Sequence, residues 1–341
     1  MSIRVAINGA GRIGRAFYKL ANKRPEIEVV AINDLGDIQN IAYLLKFDSV
    51  YGQSGLDIEV KGGKLVIDGR EVQHLSERDP SLLPWGELNI DVVVEATGAF
   101  TTFEKAGAHL KAGAKRVVVT APIKGDPDPS IPGATVLMGI NEEKLATCEV
   151  TSNASCTTNA ASPVLAILEE GLGIEKAILN TVHSYTASQS LVDGPSKKDF
   201  RVGRAAAQNI VPSTTGAAIA TTKALTSLEG KFDGISIRVP TVIGSLADIT
   251  FIASRDTTVE EVNEIMTKAS KTERWKDIFE VTSEQIVSSD IKDAKHASIA
   301  DLSFTRVVGD NLVKVLVWYD NEMGYTYTLV DHVMKLGAQI K

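Results

Sequence analysis

The chain has 341 residues, 44% of them hydrophobic and 23% charged, with a formal net charge of -7. That length exceeds one ordinary core and predicts two domains, while the apolar content excludes a disordered chain. The acidic balance excludes a broad nucleic-acid surface, so an anionic ligand needs a locally basic pocket.

Two cysteines, Cys148 and Cys156, are too few to staple a chain of this size, which fits a reducing compartment; a bridge between the two stays open. Met1 to Val5 leads into a strand-like run without an apolar core of signal-peptide length, and no stretch is long enough to span a bilayer. Cytoplasmic residence without membrane contact is the expectation.

Ile3 to Asn8 reads as a strand, Gly9-Ala10-Gly11-Arg12-Ile13-Gly14 as a turn, and the apolar spacing of Ile13, Phe17, Leu20 and Ala21 as a helix. In this order Gly9 permits the tight turn and Gly11 lets a pyrophosphate approach the backbone. Gly14 lets helix and strand pack closely, and the helix N-terminus faces the anion. A second strand, Ile27 to Asn33, ends in Asp34, about twenty residues on, where a ribose-binding carboxylate belongs. Such a carboxylate repels a 2′-phosphate, so the expected cofactor is NAD rather than NADP. The competing reading is a glycine turn followed by an Asp cap.

A helix is expected over 38–51, then a decorating hairpin between Leu56 and Val72. Asp91 to Glu95, Arg116 to Thr120 and Thr135 to Met138 suit buried parallel strands, the first two joined by a helix over 103–112. Thr97 and Thr120 follow two of these strands, at the carboxyl ends where ligands collect. A loop rich in Pro and Gly follows over 124–133, and no function is assigned to it.

A strand over 149–153 delivers Ser155-Cys156-Thr157. Pro163 leaves two helix starts open: one capped by Ser162 with Cys156 in a loop, or one beginning near Cys156, which alone sets the thiol against a helix dipole. Beyond it come longer amphipathic strands, 177–183, 234–240, 247–253 and 311–319, predicting a second domain of mixed sheet with helices on one side. Thr258-Val259-Glu260-Glu261 reads as a capping box. The long polar stretch 184–216 has the length of a functional loop. A last amphipathic helix is expected over 325–336.

A thiol becomes a nucleophile beside a His or at a helix N-terminus, and Cys156 has access to either; an inert buried Cys is the alternative. His183 stands out because it ends a predicted strand. His74, His109, His296 and His332 read as surface or structural. Spacing alone does not establish that Cys156 and His183 meet. No Cys or His pair has zinc-ligand spacing, so no metal is expected.

Taken together, Asn8 to Arg15, Ser152 to Asn159, His183 to Ala187, Val192 to Ser196, Arg238 to Thr241 and Trp318 to Glu322 match, in order, the motifs of phosphorylating glyceraldehyde-3-phosphate dehydrogenases, and the chain resembles that family over essentially its whole length. The resemblance implies an α/β fold: a Rossmann-type doubly wound NAD-binding domain (1–155 plus about 321–341) with an inserted α+β catalytic domain (156–320). It implies that Cys156 attacks the aldehyde of glyceraldehyde 3-phosphate with His183 as base, the two forming an ion pair. A hemithioacetal, a thioester and attack by inorganic phosphate then give 1,3-bisphosphoglycerate, a step of glycolysis.

For the cofactor it implies contacts from Asn8, Gly9, Gly11, Arg12, Ile13, Gly14, Asp34, Arg78, Thr97, Thr120 and Asn321. Thr186 and Arg238 match the substrate-phosphate positions, and Ser155, Thr157, Thr215 and Gly216 the inorganic-phosphate positions. Arg201 and Lys198 are weaker candidates. A homotetramer is implied as well, with the 185–208 loop reaching a neighbour's cofactor.

Several positions depart from the family pattern. Ala160 stands where a second cysteine is common, Val242 to Ser245 replace Pro-Asn-Val-Ser, and Met323 replaces a common Phe. Ser188 and Ile219 stand where many members carry polar or charged residues. The nearest rival is an erythrose-4-phosphate dehydrogenase, in which water resolves the thioester; a non-catalytic NAD-binding redox sensor is a rival of another class.

Overall fold

The computed structural model describes residues 2–197 and 199–340, so the candidate Lys198 lies outside the described residues. Two compact units result, one formed by Met1–Ala154 with Thr326–Lys341 and the other by Ser155–Tyr325.

In the first unit, short runs of β-branched residues form strands buried on both faces, as a parallel sheet requires. Seven parallel strands lie in the order 133–135, 150–152, 116–119, 92–95, 3–8, 27–33 and 70–75, and two antiparallel strands, 64–67 and 58–61, extend the last edge. The first strand, Ile3–Asn8, pairs with Ile27–Asn33 on one side and Val92–Glu95 on the other. Strand order reverses there, and a crevice opens at the carboxyl ends.

Local departures from expectation have physical causes. The strand expected at 135–138 lies earlier, at Gly133–Thr135. The helix expected over 103–112 is two short ones, Phe103–Ala106 and Ala108–Lys111, meeting at Gly107. Packing there is close: a Cβ on Gly107 would stand 2.7 Å from Ile131 Cδ1, which would have to move aside, and 3.1 Å from Phe103 O. The decorating element over 56–72 adds three strands to the main sheet rather than standing beside it.

The second unit carries a seven-stranded mixed sheet in the order 211–214, 232–239, 174–184, 245–253, 312–319, 298–308 and 279–282. The strands at 211–214, 279–282 and 298–308 go beyond those expected; in the last, Leu302 and Phe304 alternate with polar residues, but Phe304 points to solvent rather than to the core. Along Ser245–Ala253 every second residue is buried, the pattern of a sheet with one covered face. That cover is the helix Cys156–Leu172, which packs against Ala217–Ala224 and Val259–Ala269.

The Cys156–Leu172 helix is buried nearly all round, as a core helix should be, and runs through Pro163 without ending. Ser155 caps it, its Oγ accepting the Thr158 N–H at 3.2 Å. Ser162, the other possible cap, sits inside the helix with its hydroxyl 3.0 Å from that of Thr221. Thr258 caps its own helix by accepting the Glu261 N–H, but Glu261 turns its carboxylate to Arg255 and Thr257, so the box is only half formed.

Candidate active site

The chain enters Cys156 through a forced turn. Ala154 adopts φ +54, a left-handed conformation uncommon outside glycine, and its N–H is held by the Ser152 hydroxyl at 3.0 Å. Helix start and nucleophile candidate coincide, so the thiol stands at the positive end of a 17-residue helix.

His183 reaches the thiol from the sheet. It lies on Ile174–Ser184, one residue from the strand end, and its Nε2 is 3.3 Å from Cys156 Sγ. Register then supplies a third group: His183 pairs directly with Arg238 on the adjacent parallel strand, so both side chains leave the same face. Arg238 Nη1 stands 2.8 Å from His183 Nδ1 and 3.1 Å from Ser184 O, while Nδ1 is itself 2.7 Å from Ser184 O. A proton on Nδ1 satisfies Ser184 O, and a lone pair there satisfies Arg238. Only one of the two contacts is met at a time.

Burial opposes the ion pair that the resemblance implies. Burial pushes the Cys156 thiol up, countered by Arg238, the Thr157 hydroxyl and backbone N–H groups at the helix start. Burial, reinforced by Arg238, pulls His183 down to about 3. Burial drives each group toward its neutral form, while Arg238, Thr157 and the helix-start N–H groups on the thiol, the Ser184 carbonyl on the imidazole, and the mutual attraction of the charged pair work the other way.

Tyr319, which sequence reasoning passed over, braces this pair. Its ring meets His183 edge-on with centroids 5.9 Å apart, and its hydroxyl lies 3.0 Å from Thr157 Oγ1 and 2.7 Å from Thr181 Oγ1. Asn321 is in the same unit, its Oδ1 accepting from Ser245 Oγ at 3.1 Å. Tyr319 lies opposite Ser245 in the sheet, a long-range pairing with no local signature in sequence.

The hydroxyls matched to phosphate positions already have partners. Ser155 is a cap, Thr157 faces Tyr319, Thr215 Oγ1 accepts the Ala217 N–H at 3.2 Å, and Thr186 Oγ1 is 2.9 Å from Ser188 Oγ. Gly216 caps the Ala217–Ala224 helix without a side chain, and a Cβ built on it meets nothing within 4 Å. Arg201 is bidentate with Asp199.

In the first unit, Asn8, Gly9, Gly11, Asp34, Arg78 and Thr97 line one cleft of about 360 Å³. Its glycines fit a dinucleotide. Gly9 has φ +102 and a Cβ there would strike Ala96, a Cβ on Gly14 would fall 2.0 Å from Gly9 O, but one on Gly11 would meet nothing and project into open space. Gly9 and Gly14 therefore serve packing and Gly11 serves access. Asp34 is fixed by Ala10 N–H (2.7 Å) and Gly36 N–H (2.8 Å). Arg12, Ile13 and Thr120 do not line this cleft; Arg12 pairs with Asp48 at 2.8 Å, and the Thr120 N–H donates to Glu95 O. Among the described residues no helix is long and apolar enough to cross a membrane, and no cluster of three metal-ligating side chains occurs.

Comparison with known proteins agrees with both halves of this geometry. Residues 3–103 match the NAD binding domain of glyceraldehyde 3-phosphate dehydrogenase, and residues 155–321 match the C-terminal domain of the same family. A glyceraldehyde-3-phosphate dehydrogenase of Geobacillus stearothermophilus is 44% identical over 97% of each chain. One from Eremothecium gossypii is 44% identical over 98% of this chain and 99% of that one, and one from Streptomyces coelicolor is 44% identical over the full length of both. With both units matched and the relatives aligned end to end, the chain belongs to the NAD-dependent glyceraldehyde-3-phosphate dehydrogenase family.

Proposed function

We propose that the chain oxidises glyceraldehyde 3-phosphate to 1,3-bisphosphoglycerate by covalent catalysis at Cys156, with His183 as general base. The observation that carries this reading is the 3.3 Å approach of His183 Nε2 to a thiol at a helix N-terminus. In the reactive tautomer Nδ1–H donates to Ser184 O, which leaves the Nε2 lone pair facing the S–H bond.

The sulfur adds to the aldehyde carbon as the thiol proton passes to Nε2, and the imidazolium returns that proton to the new alkoxide, giving a hemithioacetal. Neutral again, His183 takes the hydroxyl proton as the carbon is oxidised. NAD, when bound, supplies the hydride acceptor that makes this oxidation possible. The resulting thioester on Cys156 is opened by a phosphate oxygen, the C–S bond breaks, and His183 returns the proton to sulfur. A serine at 156 would yield an ester, which retains less of the oxidation energy for transfer to phosphate.

Arg238 and Thr186 are read as the substrate-phosphate side, Arg238 supplying the positive charge in a chain that is acidic overall. Ser155, Thr157, Thr215 and Gly216 are read as the inorganic-phosphate side. Asn8, Gly9, Gly11, Asp34, Arg78 and Thr97 hold the dinucleotide, and Asn321, oriented by Ser245, is read as the partner of the nicotinamide amide. The two units are accordingly read as NAD-binding and catalytic domains. A homotetramer in the cytoplasm completes the reading: exposed Leu191, Val192, Phe200 and Ile210 on the 185–210 segment favour burial by another copy, and both cysteines are free thiols.

Turnover with glyceraldehyde 3-phosphate and with erythrose 4-phosphate, each with and without inorganic phosphate, tests the substrate. Phosphate-dependent NADH formation favouring the triose is expected; phosphate-independent turnover of the tetrose would replace this reading with the rival one.

A further inference from the structure

Beneath the floor of the first-unit cleft lies a polar relay that the reaction does not use. Trp85, Glu95 and His109 are buried essentially completely, at 0%, 1% and 0% exposure. The Trp85 Nε1–H points at His109 Nδ1 from 3.0 Å. An indole nitrogen only donates, so Nδ1 must be the acceptor and the imidazole proton must sit on Nε2. From Nε2 it donates to Glu95 Oε2 at 3.0 Å.

Glu95 then distributes this constraint into the cleft. Oε2 also accepts Asn8 Nδ2 at 2.5 Å, while Oε1 accepts the Thr97 N–H at 2.8 Å and the Thr97 hydroxyl. Four donors saturate the carboxylate, and two of the residues that supply them, Asn8 and Thr97, line the cleft. The relay continues beyond Asn8, whose Oδ1 accepts Asn33 Nδ2 at 2.7 Å. Asn33 in turn holds Glu77 through both its backbone N–H and C=O, each at 2.8 Å. Glu77 precedes Arg78, and both line the same cleft. One hydrogen-bonded chain thus joins the carboxyl ends of three adjacent strands and the loop that carries Arg78.

A second feature shows why the tautomer matters. Asn8 Nδ2 lies 3.4 Å from His109 Nε2, too long for a strong bond but within reach of a small rotation. With the proton on Nδ1 instead, Nε2 would become an acceptor, compete with Glu95 for Asn8, and face Oε2 lone pair to lone pair. Trp85 forbids that state.

We propose that Trp85, His109 and Glu95 are positioning residues for the cofactor: the indole N–H fixes the His109 tautomer, and through Glu95 this presets Asn8, Thr97 and the Glu77-Arg78 loop for the dinucleotide. The inference rests on the dinucleotide reading of the cleft. None of the three positioning residues lines the cleft, so their effect on affinity passes through the residues that do.

The test is calorimetric titration of the full-length protein with NAD, for wild type and for Trp85→Phe, Glu95→Gln, His109→Gln and His109→Leu, with thermal unfolding of each. Trp85→Phe and Glu95→Gln raise Kd about tenfold, the size expected when one buried donor or acceptor loses its partner. His109→Gln, which keeps a donor toward Glu95, falls between wild type and His109→Leu. Histidine 15N NMR shows Nε2–H at His109 in wild type and a mixture of tautomers in Trp85→Phe. Kd values within about twofold of wild type in all folded variants overturn the proposal, as does an affinity loss that merely follows the loss of Tm. Failure of wild type itself to bind NAD would instead overturn the cofactor reading.

Discussion

Arg238 stands directly across a parallel strand pair from His183, its guanidinium 2.8 Å from the imidazole Nδ1. A fixed positive charge at that distance disfavours the imidazolium and, with burial, holds His183 down to about 3. The same charge lowers the Cys156 thiol, so Arg238 acts on both members of the pair. It follows that an anion drawing Arg238 away would make His183 more basic just as substrate arrives.

Replacing Arg238 by Gln should therefore raise the His183 pKa toward its ordinary value. The expected readout is the acid limb of the pH dependence of Cys156 alkylation by iodoacetamide, which should move to higher pH. An unchanged limb would show that burial alone sets the basicity of His183.

Acid sensitivity has a second source in His332. It is fully buried, with Nε2 2.8 Å from Thr151 Oγ1 and Nδ1 3.2 Å from Asn153 Oδ1, and it too is held down to about 3, chiefly by burial. Unfolded, both rings would protonate near 6.5. Between about pH 6.5 and 3 the unfolded chain binds more protons than the native one, so stability is complete above this window and falls as pH drops through it. Each histidine contributes a slope of about 1.4 kcal/mol per pH unit. His332→Leu should remove its share, and urea unfolding of wild type and variant between pH 4 and 7 measures the difference; equal slopes would contradict the assignment.

Ser245 links two residues of the second unit. Its hydroxyl donates to Asn321 Oδ1 at 3.1 Å and accepts the Ser184 N–H at 3.1 Å, next to His183. Ser245→Ala leaves a buried N–H without its partner, at a cost of about 1–3 kcal/mol. Urea unfolding should show a loss in that range, and steady-state kinetics a higher KM for NAD with a lower kcat. Unchanged kinetics in a destabilised variant would confine Ser245 to a structural role.

Asp34 is the residue on which cofactor choice is predicted to turn. Its two oxygens are anchored by Ala10 and Gly36 N–H groups, so the carboxylate faces the cleft without freedom to turn away from a 2′-phosphate. Wild type should give a higher kcat/KM with NAD than with NADP, and Asp34→Asn should narrow the ratio. Equal ratios for wild type and variant would remove Asp34 from the specificity account.

Local signals were legible where a few neighbouring residues decide the outcome. The Gly9 to Gly14 turn and the Thr258 cap fall where short-range chemistry puts them, and Asp34 lines the cleft its strand end predicts. The Cys156 helix was ambiguous because Pro163 permits two starts; the choice rests on Ser155 as cap and on burial of Ser162, neither of which periodicity reveals. Residues that meet across the sheets were invisible: Tyr319 behind His183, Ser245 beneath Asn321, and His109, read as surface or structural, at the centre of a buried relay. Their partners lie 14 to 162 positions away in sequence.

The central claim is that a covalent bond to Cys156 carries the reaction. NADH formation from glyceraldehyde 3-phosphate and inorganic phosphate, compared between wild type and Cys156→Ser with both shown to be folded by thermal unfolding, addresses it directly. Loss of at least about a thousandfold in kcat is the predicted result, since a hydroxyl is a far weaker nucleophile than a thiol at this site. NADH formation at the wild-type rate in the serine variant would contradict the account.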